Sequence, residues 1–160
     1  MNWTLLDYVV AGALLLVLGS GLWWLLRPGR HWARRLADFG MIGGNVLLFW
    51  VNGAVGVIGA AEQDANLLYL ALPAMALIGV AASRWRRRAM CLASLASAGF
   101  MGLTAGLAIG LGWGEDGPVW PADVLVITAV FGSGFLFAAW LYRRADRADA
   151  AIQAASSRAR

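Results

Sequence analysis

Five stretches of the chain are apolar almost without interruption, at about residues 5–26, 39–60, 66–83, 89–112 and 121–142. A helix that crosses a bilayer needs about 20 mostly apolar residues. Only a helix or a closed barrel satisfies its own backbone amides there. The apolar runs are continuous rather than alternating, so the pattern predicts an all-α polytopic membrane protein, a bundle of five transmembrane helices. The third stretch is the shortest and contains Pro73. A proline there kinks the helix, as a hinge or cavity or simply as packing. After the transmembrane domain, 1–142, comes an Arg/Ala-rich cytoplasmic tail, 143–160. It either continues the fifth helix, with Arg143 and Asp146 as an i,i+3 pair, or frays into solvent.

The polar connections give the topology. Arg27, Arg30, Arg34 and Arg35 lie between stretches one and two. Arg84, Arg86, Arg87 and Arg88 lie between three and four, and Arg143, Arg144, Arg147, Arg158 and Arg160 follow five. The N-terminal tail and the other two loops carry Asp7, Glu62, Asp64, Glu115 and Asp116 and no basic residue. Arginine resists translocation during insertion, so the Arg-rich segments belong in the cytoplasm. Five crossings put all three on one side, with the N-terminus outside and the C-terminus inside. Four or six crossings would split them. Most Trp and Tyr residues fall near predicted helix ends, where a ring is half buried and its polar tip meets water. Trp50 falls near the middle of a span.

Composition agrees. The 160 residues are 61% hydrophobic and 14% charged, against about half and about a quarter in soluble domains. The net charge of +4 reflects arginines beside membrane segments, so nucleic acid is not an expected partner. Every basic residue is Arg, which is a compositional trait. Met1 to Asp7 lacks the basic region of a cleaved signal peptide, so the first helix is expected to be retained. Cys91 is the only cysteine, which excludes an intrachain disulfide or thiolate cluster.

Several constellations lie inside the spans. At helical spacing Asn45, Phe49, Asn52, Gly56 and Gly59 share a face of the second stretch. Buried amides in lipid hydrogen-bond across helices. The face is therefore a tight helix seam or, with Glu62 and Asn66, the lining of a pore or ligand pocket. Gly102, Gly106 and Gly110 form a doubled small-xxx-small pattern that admits a close partner helix from this chain or another copy. Arg84, Arg86, Arg87 and Arg88 could contact lipid headgroups. Glu62, Asp64 and Asn66 could meet Glu115, Asp116 and Asp123 around a hard cation, or be solvated loop residues. No calcium-loop spacing is present, and no metal or cofactor is expected.

The run Trp50-Val-Asn-Gly-Ala-Val-Gly-Val-Ile-Gly59, followed by Glu62, Asn66 and Tyr69, resembles a family of small uncharacterised bacterial inner-membrane proteins. The similarity reaches from the first helix through the fifth and is strongest at the second and third. Gln63, Asp64 and Ala65 depart from the family's acidic-Asn-Pro cluster. The resemblance implies a bacterial inner membrane and brings no activity.

Catalytic signatures are missing. His31 is the only histidine, so no Ser–His–Asp arrangement forms within the membrane. No CxxC, phosphate-cradling GxxxxGK or dinucleotide fingerprint occurs. The chain is expected to be a non-enzymatic oligomeric or accessory packing module, with membrane lipids and further copies or subunits as partners. A small channel lined by the helix-two amides and a lipid-binding protein are the alternatives.

Overall fold

The computed structural model describes residues 12, 15–16, 19–23, 32–59, 64–72, 75–76 and 86–158. Among them the chain is all-helical, with no strand. Three long helices carry the fold: α1 (Trp32–Val55), α2 (Arg87–Gly110) and α3 (Ala122–Arg158). A short 3-10 turn, Asp64–Asn66, leads into helical residues 67–72. Pro73, Glu62, His31 and Arg84 lie outside the described residues.

Helix α1 begins at Trp32, seven residues before the sequence-based boundary, so Arg34, Arg35 and Asp38 are helical. The reason is a buried face that extends upstream of the apolar run. Ala33, Ala37, Asp38 and Met41 are all buried. The helix stops at Val55, ahead of the expected Ala60. Gly56 adopts φ 75° and its N–H reaches back to the Asn52 carbonyl at 3.1 Å, a left-handed C-terminal cap. Gly56 and Gly59 therefore lie beyond the helix, and Phe49 is exposed.

Helix α2 ends in a Schellman motif. The Trp113 N–H donates to the Ala108 carbonyl at 2.8 Å and the Gly112 N–H to Ile109 at 3.4 Å. Gly112 supplies the left-handed residue, at φ 67°. A turn-rich segment leads to Pro121, after which Asp123 opens α3 by accepting the Val124 N–H at 2.8 Å. Its carboxylate also suits the positive end of the helix dipole. Helix α3 runs without a break through the expected tail to Arg158.

Helix α3 packs against both α1 and α2. Gly40 meets Ala138, and Gly44 accommodates the Phe135 ring, which would lie 3.3 Å from a Cβ there. Ser94 of α2 touches Met41 of α1. The Arg-bearing starts of α1 and α2 thus sit at the same end as the 138–145 part of α3. At the opposite end the loops after α1 and α2 cross backbone to backbone. A Cβ on Gly114 would stand 2.8 Å from the Gly59 nitrogen. At the Arg-rich end the Arg144 guanidinium lies 5.3 Å from the Trp32 ring centroid and 5.4 Å from that of Trp140.

Two of these helices, Arg88–Gly110 and Ala122–Arg158, are long and apolar enough to cross a membrane. Only 33% and 28% of their most apolar windows are buried in the bundle. The core helix of a soluble protein would hide most of such a window. Leu103, Leu107, Val126, Val130 and Phe137 instead face outward. Apolar surface this continuous is unusual on a protein in water.

Candidate functional site

Three of the polar side chains that the fold buries form a ladder along α1. Asp38, Asn45 and Asn52 recur every seventh residue, and Met41 and Leu48 fill the positions between them. A 3.5-residue repeat keeps one seam of a helix facing its neighbours. All five side chains are buried. A stripe of α2, Met90-Ser94-Ser97-Met101-Thr104-Ala108, is buried as well and carries three hydroxyls.

At the Arg-rich end the Tyr142 hydroxyl donates to the Asp38 carboxylate at 2.7 Å. Both residues are closed off from solvent, with Asp38 2% exposed. A buried carboxyl is costly unless hydrogen-bonded, and this contact supplies a donor. Cys91 lies in the same layer, its thiol 3.6 Å from the Ala139 carbonyl. One turn further along, the Ser94 hydroxyl reaches the Met90 carbonyl at 3.0 Å and the Met41 sulfur at 3.3 Å.

Asn45 and Asn52 make different bonds. The Asn45 amide nitrogen donates to the Met41 carbonyl of its own helix at 2.7 Å. That of Asn52 donates to the Asn66 carbonyl at 3.1 Å. The Oδ1 atoms of both are buried and have no hydrogen-bond partner among the described residues. Asn66 closes the end of the ladder. Its Oδ1 accepts the Val57 and Ile58 N–H groups at 2.9 and 2.8 Å, and its Nδ2 donates to the Ile58 carbonyl at 3.3 Å. The chain leaves α1 through buried Val57 and Ile58, whose amides no longer have helix partners. The Asn66 side chain provides them. Tyr69 completes the layer, its hydroxyl 3.4 Å from Thr128 Oγ1.

The structure thus brings Asn52, Gly56 and Asn66 together and puts Asn45 two turns below. Gly59 serves the loop crossing with Gly114. Gly102, Gly106 and Gly110 face away from α1 and α3: all three are exposed, and among the described residues nothing lies within 4 Å of a Cβ built there. Arg86 and Arg88 stand exposed at the start of α2. Among the described residues no three His, Cys, Asp or Glu side chains gather as metal ligands. Sequence reasoning overlooked Asp38, because it fell just before the apolar run. Its sevenfold spacing to Asn45 and Asn52 was the available signal.

The fold and this ladder define a helical bundle with a buried polar seam and an apolar exterior. Comparison with family models, with curated proteins and with solved structures gave no match.

Proposed function

We propose that this chain is a five-span protein of the bacterial inner membrane, N-terminus outside, acting without catalysis as an oligomeric or accessory packing module. One observation carries the reading: the stripe Gly99, Gly102, Gly106 and Gly110 is exposed on α2 while the bundle uses the other face. Glycines in an apolar helix let a second backbone approach closely. The polar residues on the inward face support the same reading. Asn52 and Asn66 are engaged in holding a helix end, which suits a sealed seam better than an aqueous pore. The resemblance noted at Trp50–Gly59 agrees with the inner-membrane placement.

The test is association. In lipid nanodiscs or bicelles, native mass spectrometry and in-membrane cross-linking should reveal an oligomer or a fixed partner. Gly102→Ile with Gly106→Ile should abolish it while helical content stays unchanged. A strictly monomeric chain without partners in its own membrane would sink the idea.

The orphaned Oδ1 atoms of Asn45 and Asn52 favour a second reading, passage of a small solute along the α1 seam. Buried acceptors call for donors. Liposomes carrying the protein should then leak an ion or small solute, and Asn52→Leu should stop the leak. Flux equal to that of empty liposomes removes this reading.

A further inference from the structure

Beside the exposed glycine stripe, α2 borders a second feature. An open groove of about 340 Å³ runs between α2 and the helical residues Leu72, Met75 and Ala76. Leu72, Met75 and Ala76 form one wall, and Ala89, Leu92, Ala93, Ala96 and Phe100 form the other. Among the described lining residues Ser97 is the one polar residue. From Ala89 to Phe100 the α2 wall is about 16 Å long at 1.5 Å per residue. That matches half of a hydrocarbon core about 30 Å thick, the depth of a single leaflet. Met75 and Leu92 in its lining are exposed, whereas Ala76 and Ser97 are buried.

The start of α2, next to the groove, is charged. Arg86 precedes Ala89 by three residues and Arg88 precedes Leu92 by four, so each arginine stands one turn before a groove residue. Both are exposed. Arg86 itself caps α2 without any side-chain hydrogen bond to the first turn. The amides there and the positive end of the helix dipole add to the two guanidiniums.

We propose that this groove holds one acyl chain of an anionic phospholipid from the Arg-side leaflet, with its phosphate at the start of α2 within reach of Arg86 and Arg88. An apolar slot one leaflet deep, topped by two cations, complements that molecule along its whole length. A second protein helix would need no charge at that height, and a soluble anion would need no slot. Guanidinium forks match phosphate oxygens, and juxtamembrane arginines favour anionic over zwitterionic headgroups. The inference rests on the membrane placement proposed above.

The test uses the full chain, purified in detergent and titrated with dioleoyl phosphatidylglycerol or dioleoyl phosphatidylcholine, with native mass spectrometry counting retained lipid. Phosphatidylglycerol should be retained over phosphatidylcholine by about tenfold. Arg86→Gln with Arg88→Gln, both on the surface, should bring that ratio close to one. Ala96→Phe, which fills the slot, should reduce retention of either lipid; Ala93→Leu serves if that variant does not fold. Equal retention of the two lipids by the unaltered chain would overturn the proposal. So would a preference that survives the Arg substitutions, or one that inorganic phosphate abolishes while Ala96→Phe has no effect. A chain that stays monodisperse without detergent would instead end the membrane placement itself, so the two failures are distinguishable.

Discussion

Asn66 shows how much one side chain can carry. Its amide satisfies two backbone N–H groups and one carbonyl in a loop whose own residues are buried. Each buried group left without a partner costs about 1–3 kcal/mol. Asn66→Ala should therefore lower stability by roughly 2–4 kcal/mol, read from thermal or denaturant unfolding in detergent. A change below about 0.5 kcal/mol would mean that water replaces the side chain. The Asp38–Tyr142 contact is the second residue-scale test. Tyr142→Phe should cost about 1.5–3 kcal/mol, the usual range for a hydrogen bond to a charged group. Cys91→Ala should cost less, because a thiol is a weak donor and its contact with Ala139 is long. Reversal of that order would remove Asp38 as an anchor of the bundle.

At the scale of elements, the glycines separate into two kinds. Gly114 has φ 82° and sits against Gly59, so an added Cβ meets both a strained backbone and a neighbouring chain. Gly114→Ala should destabilise the fold by about 1–3 kcal/mol or more. Gly106 lies in mid-helix with open space around it. There alanine is the better helix former by about 1 kcal/mol, so Gly106→Ala should leave the monomer as stable or more so. If α2 packs against another copy, the same change should weaken association. Opposite signs for monomer stability and association are the expected signature, and chemical unfolding with cross-linking yield reads both. These two classes look alike in sequence, since each is a glycine among apolar residues. What separates them is which side of α2 turns inward, and that depends on α1 and α3. The hydrophobic period located all three helices but misplaced the ends of α1. At its start the buried stripe begins in polar residues, and at its end Gly56 breaks the helix although the apolar run continues.

Across the described residues the decisive property is arginine at one end, acidic residues at the other and apolar surface along the sides. Helix α3 is 37 residues long, about 55 Å, nearly twice the hydrocarbon thickness. Its last turns therefore project beyond any bilayer that its first half spans. Orientation can be checked in spheroplasts of a Cys91→Ala background. Val119→Cys should react with a membrane-impermeant maleimide from outside, and Ala155→Cys only after permeabilisation. The reverse pattern would invert the topology, and labelling of both from one side would require an even number of crossings between them.

The sequence alone determined the helical class, the approximate positions of α1, α2 and α3 and the segregation of arginine from the acidic loops. These follow from local physics: the energy of moving a residue into an apolar medium depends on that residue and its near neighbours. Tertiary structure decided the rest. Asp38 finds Tyr142 across 104 positions, Asn66 reaches back to the end of α1, and Gly59 is matched to Gly114. The Gly102–Gly110 stripe is left facing outward. Each depends on how the helices are rotated about their axes, and that rotation is set by packing among segments far apart in the chain.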